Sequence, residues 1–364
     1  MYPPTLNGSD NPSYVKIIVT ELYPYGSVCG LFKVILYDNI WKSYMTTMKS
    51  IIVRGTGAPD VLTYETRNIP KVPKGWVRIR VRAFGLNRSE IFTRQGHSAN
   101  VALPRILGIE AVGTVDHAPD TTFQKDEKVA TVMGGMGRQF DGSYAEYTCV
   151  PADQVRKISV DLPWKTLGAL PEMLQTAWGA LFSALRLSKG DALLIRGGTS
   201  SVGMAAISLA NTAGAKVFAT TRKAERFDML RDLGAEPLLE DGALRHTEHR
   251  FDKVLELVGT ATLKDSLAAT AKGGTVCMAG MVGDQWVLPE FEPMTAIPHC
   301  VSLTIYSGGV SDFMAMPFDQ LLQDVAQGNI QIKIGKTFRF DQIVEAHTCM
   351  QSNAAQGKIV ITFE

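Results

Sequence analysis

Residues 192–210 read ALLIRGGTSSVGMAAISLA. A short apolar run meets Gly197 and Gly198, then three small hydroxyl residues, then Gly203 inside an Ala-rich segment. The run has the length and texture of a buried strand, and the segment after Ser201 that of a helix. A bare turn between strand and helix lets backbone N–H groups approach an anion at the helix N-terminus. The spacing is one residue longer than G-x-G-x-x-G. The expected dinucleotide contacts of this turn are Gly197, Gly198, Thr199, Ser200, Ser201, Val202 and Gly203.

Around this turn, from about residue 165, apolar β runs alternate with helical patterns. AKVFATT, FDKVLELVG and TVCMAGMVG are the later strands; RKAERFDMLRDLGAE and TATLKDSLAATAKGG are the helices. Such alternation predicts a doubly wound parallel sheet with helices on both faces. Its further βα turns fall at Gly259 and Gly280. The second strand ends in Thr220-Thr221-Arg222-Lys223, with no acid to hold a ribose 2′-hydroxyl. Two hydroxyls and two cations suit a 2′-phosphate, which predicts NADPH. A solvated helix start is the plain reading of the same four residues.

Upstream, residues 48–165 are strand-rich. GWVRIRVRAFGL alternates apolar and basic residues, the period of a half-buried strand. KTFRF and KIVITFE return to this texture near the C-terminus. The expected organisation is an N-terminal extension over 1–47, a β domain from 48–165 with 337–364, and a nucleotide domain over 166–336.

Composition narrows the function. The chain has 364 residues, 45% apolar and 20% charged, with a formal charge of +1. Nothing selects for nucleic acid, and no run is long enough for a membrane span. The five cysteines are dispersed with no CxxC pair. That fits free thiols, a reducing compartment and a cytoplasmic location. His246 and His249 lie close together but in a charged connector, DGALRHTEHR, where a solvated loop is the simpler reading.

Several ordered motifs then bear on family: GLNRSE at 85–90, LPRILGIEAVGTV at 103–115, DGSYAEYTCVP at 141–151, QTAWGALF at 175–182, LELVGTATL at 255–263 and GKIVI at 357–361. With the glycine loop they resemble the medium-chain dehydrogenase/reductase superfamily, most of all its zinc-free, zeta-crystallin-like quinone oxidoreductase branch. The resemblance spans roughly 48–364. It implies a GroES-like β domain joined to a Rossmann domain, an α/β fold with the active site between them.

The resemblance also implies site roles. Zinc alcohol dehydrogenases carry Cys where this chain has Asn87 and His where it has Ile109, so no catalytic metal is expected. Asn87 and Thr176 would flank the nicotinamide, Asn87 with an amide able to hydrogen-bond a substrate carbonyl or the cofactor, and Val258, Gly259, Gly280 and Met281 would line its ribose and carboxamide. Phe92, where many relatives have Tyr, Arg94 and His97 would border the substrate cleft. Asn87 as a turn residue and Thr176 as a helix back-bonder are the plainer readings. The implied activity is metal-free hydride transfer from NADPH to quinones or α,β-unsaturated carbonyls. Alternatives are an enoyl-thioester or polyketide enoyl reductase, and a non-catalytic NADPH-binding or sensing protein. The resemblance further implies a homodimer joined through the edge strand CVSLTIYS.

Overall fold

The computed structural model describes residues 46–242, 244–246 and 248–363. The expected extension over 1–47 lies outside them apart from Thr46 and Thr47. Residues from Thr47 onward form one compact unit.

The N-terminal strands are β1 (Thr47–Val53), β2 (Leu62–Asn68), β3 (Trp76–Gly85), β4 (Arg105–Ile106), β5 (Glu110–His117), β6 (Lys128–Val132), β7 (Tyr147–Pro151) and β8 (Val155–Lys157). In β3 the predicted alternation is plain: Val77, Ile79 and Val81 are buried while Arg80 is exposed. Arg78 points outward to Asp116 at 2.6 Å. Period-2 patterning thus fixes which face of β3 packs on the core. Helix α1 (Arg88–Arg94) follows this strand at the Asn87 turn.

Helix α2 (Pro171–Trp178) leads into the second half of the chain. There β9 (Ala192–Arg196), β10 (Lys216–Thr221), β11 (Glu236–Leu239), β12 (Phe251–Glu256), β13 (Thr270–Met278) and β14 (Ser302–Ile305) form one sheet in the order β11-β10-β9-β12-β13-β14. Every pairing in it is parallel. Helix α3 (Ser201–Thr212) crosses from β9 to β10, its Ala205, Ala206 and Ile207 buried in the same core as Leu193 and Ile195. The sheet order reverses between β9 and β12, so a crevice opens beyond their C-terminal ends, where such sheets bind ligands.

β13 starts earlier than the sequence pattern indicates. Residues 270–274 look like a helix end, yet they already run beside β12, with a register shift after Phe251. The small residues there match no periodic template, so the bulge is invisible to pattern reading.

Two last strands, β15 (Ile334–Arg339) and β16 (Lys358–Thr362), return to the first half. β16 runs antiparallel to β3, with Val360 opposite Gly85. The sheet order is β15-β16-β3-β5-β6-β8, β7 also pairs with β3, and β2-β1-β4 form a separate small sheet. The whole is an α/β fold: a GroES-like β domain and a Rossmann-like domain with a doubly wound parallel sheet. Among the described residues, no helix is long and apolar enough to cross a membrane. Cys149, Cys277, Cys300 and Cys349 are free thiols.

Candidate active site

A cavity of about 600 Å³ opens at the crevice beyond β9 and β12 and extends to the β3–α1 turn. That volume is ample for a small-molecule site.

Its nucleotide wall is mostly backbone. Ser200 caps α3, its Oγ accepting from the Gly203 N–H at 3.1 Å. Gly203 has no room for a side chain, because a Cβ there would sit 2.5 Å from the Gly197 carbonyl. The Gly198 N–H donates to the Thr220 carbonyl, which ties the loop to the end of β10. The N–H groups of Thr199, Ser201 and Val202 have no partner among the described residues, and all three residues line the cavity. Free donors at a helix N-terminus are what a pyrophosphate requires, so the loop fits a dinucleotide.

The ribose end is less regular. Thr220, Thr221 and Arg222 line the cavity. Thr220 Oγ1 accepts from the Gly197 N–H at 3.1 Å, and Thr221 Oγ1 from the Lys223 N–H at 3.3 Å. The second expected cation, Lys223, is not in the lining; its ammonium is exposed, 3.6 Å from Glu225. Arg226, which sequence reading missed, lines the cavity instead and donates to Thr199 Oγ1 at 3.3 Å. One further turn of chain brings it round to the loop. Glu240 also lines this end, its carboxylate bound by the fully buried Arg196. Arg196 in turn reaches Asp265 at 2.7 Å. Burial alone would lower the Arg196 pKa; Glu240 outweighs that and raises it.

The turn after β12 is held by Glu256, whose Oε1 accepts from the N–H groups of Val258 and Gly259 at 2.8 and 3.0 Å. Val258, Gly280 and Met281 line the cavity, while Gly198, Gly203 and Gly259 sit behind its surface.

Across from this wall lies a nest of charged side chains. Lys358, at the start of β16, is 1% exposed. Its ammonium donates to Asn87 Oδ1 at 2.5 Å and to Glu110 Oε1 at 2.9 Å, and stands 3.7 Å from Glu172 Oε2. Asn87 Nδ2 donates to Glu110 Oε1 at 2.9 Å. The Asn87 and Ile109 N–H groups donate to the Glu90 carboxylate. Asn87 reaches the cavity with both ends of its amide bonded inside the nest. Glu172 and Thr176, one helical turn apart on α2, share a face toward the cavity, and Thr176 Oγ1 donates to Glu172 Oε1 at 2.9 Å.

Three carboxylates around one ammonium cannot all ionise freely. Burial, then the Glu110 charge, pushes the Glu90 carboxyl up to about 8. Burial also raises Glu172. For Lys358, burial favours the neutral amine, but Glu110 and Glu172 outweigh it and raise its pKa. Lys358 therefore stays an ammonium while Glu90 holds its proton.

At the mouth, Phe92 and Trp286 meet edge to face with ring centroids 4.9 Å apart, and both line the cavity. Arg138 lines it too, donating to Ser89 Oγ at 2.5 Å. Two expected cleft residues fall elsewhere. Arg94 is fully buried and ties α1 to Gly57 O at 2.6 Å and Gln351 Oε1 at 3.0 Å. His97 is exposed, 6.4 Å from Phe92 by ring centroids and outside the lining. Tyr306 lines the cavity from beyond β14, its hydroxyl 3.4 Å from Gln175 O, and burial raises its pKa. Glu90, Glu110, Glu172, Lys358, Arg138, Arg226 and Trp286 were all missed by sequence reading. For Glu110 and Lys358 a signal existed: each is a lone charge in an apolar strand, a pattern that marks a buried pair.

Among the described residues, no group of three or more His, Cys, Asp or Glu side chains is arranged to hold a metal ion. His249 packs on Phe218, with ring centroids 5.0 Å apart. The fit of a zinc ion can be judged at Asn87 and Ile109. Ile109 offers no donor atom, and the oxygens of Asn87, Glu110 and Glu172 surround the Lys358 ammonium. A dication would have to displace that ammonium, so these residues do not fit zinc.

Comparison with known proteins places these features in context. Residues 73–160 match the family described as alcohol dehydrogenase GroES-like domain. Residues 214–361 match the family described as zinc-binding dehydrogenase. The human quinone oxidoreductase is 24% identical over 327 residues, covering 86% of this chain and 97% of that protein. Among solved structures, the quinone oxidoreductase from Coxiella burnetii superposes with a TM-score of 0.75 at 24% identity, covering 87% of this chain and 100% of that one. A mycobacterial protein solved with NADPH gives a TM-score of 0.76 at 24% identity, covering 86% of this chain and 99% of that one.

Proposed function

The chain belongs to the medium-chain dehydrogenase/reductase superfamily, in its quinone oxidoreductase-like branch, and from that premise we propose that it is an NADPH-dependent reductase of quinones or activated alkenes that works without a metal. We take residues 48–165 with 337–364 as its catalytic domain and 166–336 as its nucleotide domain. The observation that carries this reading is the cavity itself. Its backbone wall suits a pyrophosphate, and its opposite wall is backed by a buried nest whose cation is an ammonium.

The bound cofactor supplies a hydride from its nicotinamide ring. The chain's own residues bind and orient. Thr199, Ser201 and Val202 offer N–H donors to the pyrophosphate. Arg222 and Arg226, with the Thr221 hydroxyl, receive the 2′-phosphate; Lys223 adds charge only from the surface. Val258, Gly280 and Met281 border the nicotinamide half. Thr176 and Asn87 flank the ring, and the nest fixes both side chains, Thr176 through Glu172 and Asn87 through Lys358 and Glu110. Asn87 thereby acts as a positioning residue. An electron-poor acceptor needs no Lewis acid, so alignment suffices for the hydride step, and the enolate or hydroquinone anion that it leaves takes its proton from solvent water. Phe92 and Trp286 offer a flat apolar surface for such an acceptor.

NADPH oxidation by purified protein, followed at 340 nm against simple quinones and enones with and without a strong chelator, tests this. Turnover that survives chelation is expected. No oxidation with any acceptor, or activity that chelation removes and zinc restores, would overturn it.

Strand β14 is the open edge of its sheet, and Ile305 on it is 65% exposed. We read this edge as the pairing surface of a homodimer. Sedimentation at micromolar protein should give twice the chain mass; a monomer would contradict it.

A further inference from the structure

Four arginines line the cavity: Arg88, Arg138, Arg222 and Arg226. The nucleotide accounts for the last two in the reading above. Arg88 donates to Asn353 and feels the charge of Asp284. Arg138 is different. Among the described residues it forms no ion pair, and its Nε is buried with no hydrogen-bond partner. The two carboxylates that line the cavity do not serve it. Glu240 is bound by Arg196, and Glu172 by Thr176 with Lys358 nearby.

The guanidinium is held in place. Ser89 Oγ accepts from its Nη2. Its loop is turned by bonds from the Arg138 and Gln139 N–H groups to the Gly135 carbonyl, at 3.1 and 2.7 Å. Gly137, with φ +72°, lies so close to Gly108 that a Cβ would sit 2.5 Å from its carbonyl oxygen. The loop is therefore seated on the segment that precedes β5. An oriented cation without a counter-charge, with one donor already desolvated, is a site prepared for an anion. Its anchor, Ser89, lies on the first turn of α1 beside Asn87, and α1 also carries Phe92 of the aromatic pair.

We propose that Arg138 anchors a carboxylate subsite on the acceptor side of the cavity, so that the acceptor is a planar conjugated enone or quinone bearing a carboxylate. The conjugated body lies against Phe92 and Trp286, and the carboxylate is received by Arg138. This rests on the reading of the cavity as a site of hydride transfer.

The probes are 4-(3-oxobut-1-enyl)phenylacetate and its methyl ester, which share one enone and, with the carboxyl group insulated from it by a methylene, differ by one charge. The wild-type kcat/KM for the acid should exceed that for the ester by about 10- to 100-fold, the factor of one charge-assisted hydrogen bond. In Arg138→Met that ratio should collapse toward one, and Arg138→Lys should restore part of it. Equal kcat/KM for acid and ester in the wild type, or a ratio unchanged in Arg138→Met, would overturn the subsite while leaving hydride transfer standing. If neither probe is reduced, the reaction proposed above fails. The subsite is then decided by calorimetric titration of both probes into wild type and Arg138→Met with NADPH present. Preference for the acid that Arg138→Met loses supports it; equal binding refutes it.

Discussion

On one wall of the cavity the working groups are the backbone N–H donors of Thr199, Ser201 and Val202, with a glycine packed behind them. Behind the other they are the side chains of Glu90, Glu110 and Lys358, with Asn87 and Glu172 reaching the lining. The first wall is made by one contiguous stretch between β9 and α3. The second joins residues as far apart as 271 positions, the separation of Asn87 and Lys358. A backbone site is specified by what is missing, namely side chains. A buried charge nest is specified by what balances, and removing one member leaves the others uncompensated.

That contrast can be broken most forcefully at Lys358. Lys358→Met should destabilise the fold by about 3–5 kcal/mol, because the buried Glu110 and the partly buried Glu172 lose their common cation. Urea unfolding measures this; a loss below about 1 kcal/mol would mean that the carboxylates are already neutral or solvated. On the other wall, Gly203→Val should cost about 1–3 kcal/mol by overpacking and also weaken nucleotide binding. Titration of NADPH fluorescence reads the second effect, and unchanged affinity would show that the loop tolerates a side chain.

The nest also predicts a pH dependence. Glu90 moves from an ordinary 4.5 to about 8 in the native state, so the folded protein holds a proton that the unfolded chain releases between those values. Its contribution to stability therefore falls as pH rises through that window, by at most about 1.4 kcal/mol per unit. His347, hydrogen-bonded to the Tyr144 hydroxyl, works the other way. Burial, with the Arg94 charge, lowers its pKa from 6.5 to about 3, so its contribution is lost as pH falls through that range. The two oppose each other between 4.5 and 6.5, and only Glu90 acts from 6.5 to 8. Glu90→Gln should flatten the decline above pH 6.5 in thermal melts; an unchanged decline would place its origin elsewhere. The smallest effect concerns cofactor choice. Arg222→Ala with Arg226→Ala should weaken NADPH about tenfold and spare NADH. Equal loss for both would mean that these cations do not read the phosphate.

The same contrast explains what the sequence made legible. The alternation of β3, the apolar parallel strands and the glycine turn are local patterns, and each is present where its period or spacing indicates, apart from the early start of β13. The ends of Arg222-Lys223 are not local in this sense. Two adjacent side chains leave β10 in different directions, so only Arg222 faces the cavity, and Arg226 joins it from the following turn. Arg94 shows the same failure: it lies on α1 close to the site, but helical rotation carries it to the far side, against Gly57 and Gln351. The nest escaped because charge balance is a tertiary property. The lone charges in LGIEAVG and GKIVI were visible, but nothing in the chain says that they meet.

The central claim is hydride transfer from NADPH to an electron-poor carbon in a site whose cation is an ammonium. The most direct test is a single turnover of metal-free protein with NADPH deuterated at nicotinamide C4 and a simple enone, followed by mass spectrometry of the product. One deuterium on the product's β-carbon, from one of the two C4 positions only, is the predicted result. A product without deuterium, or turnover that appears only after zinc is added, would contradict the account.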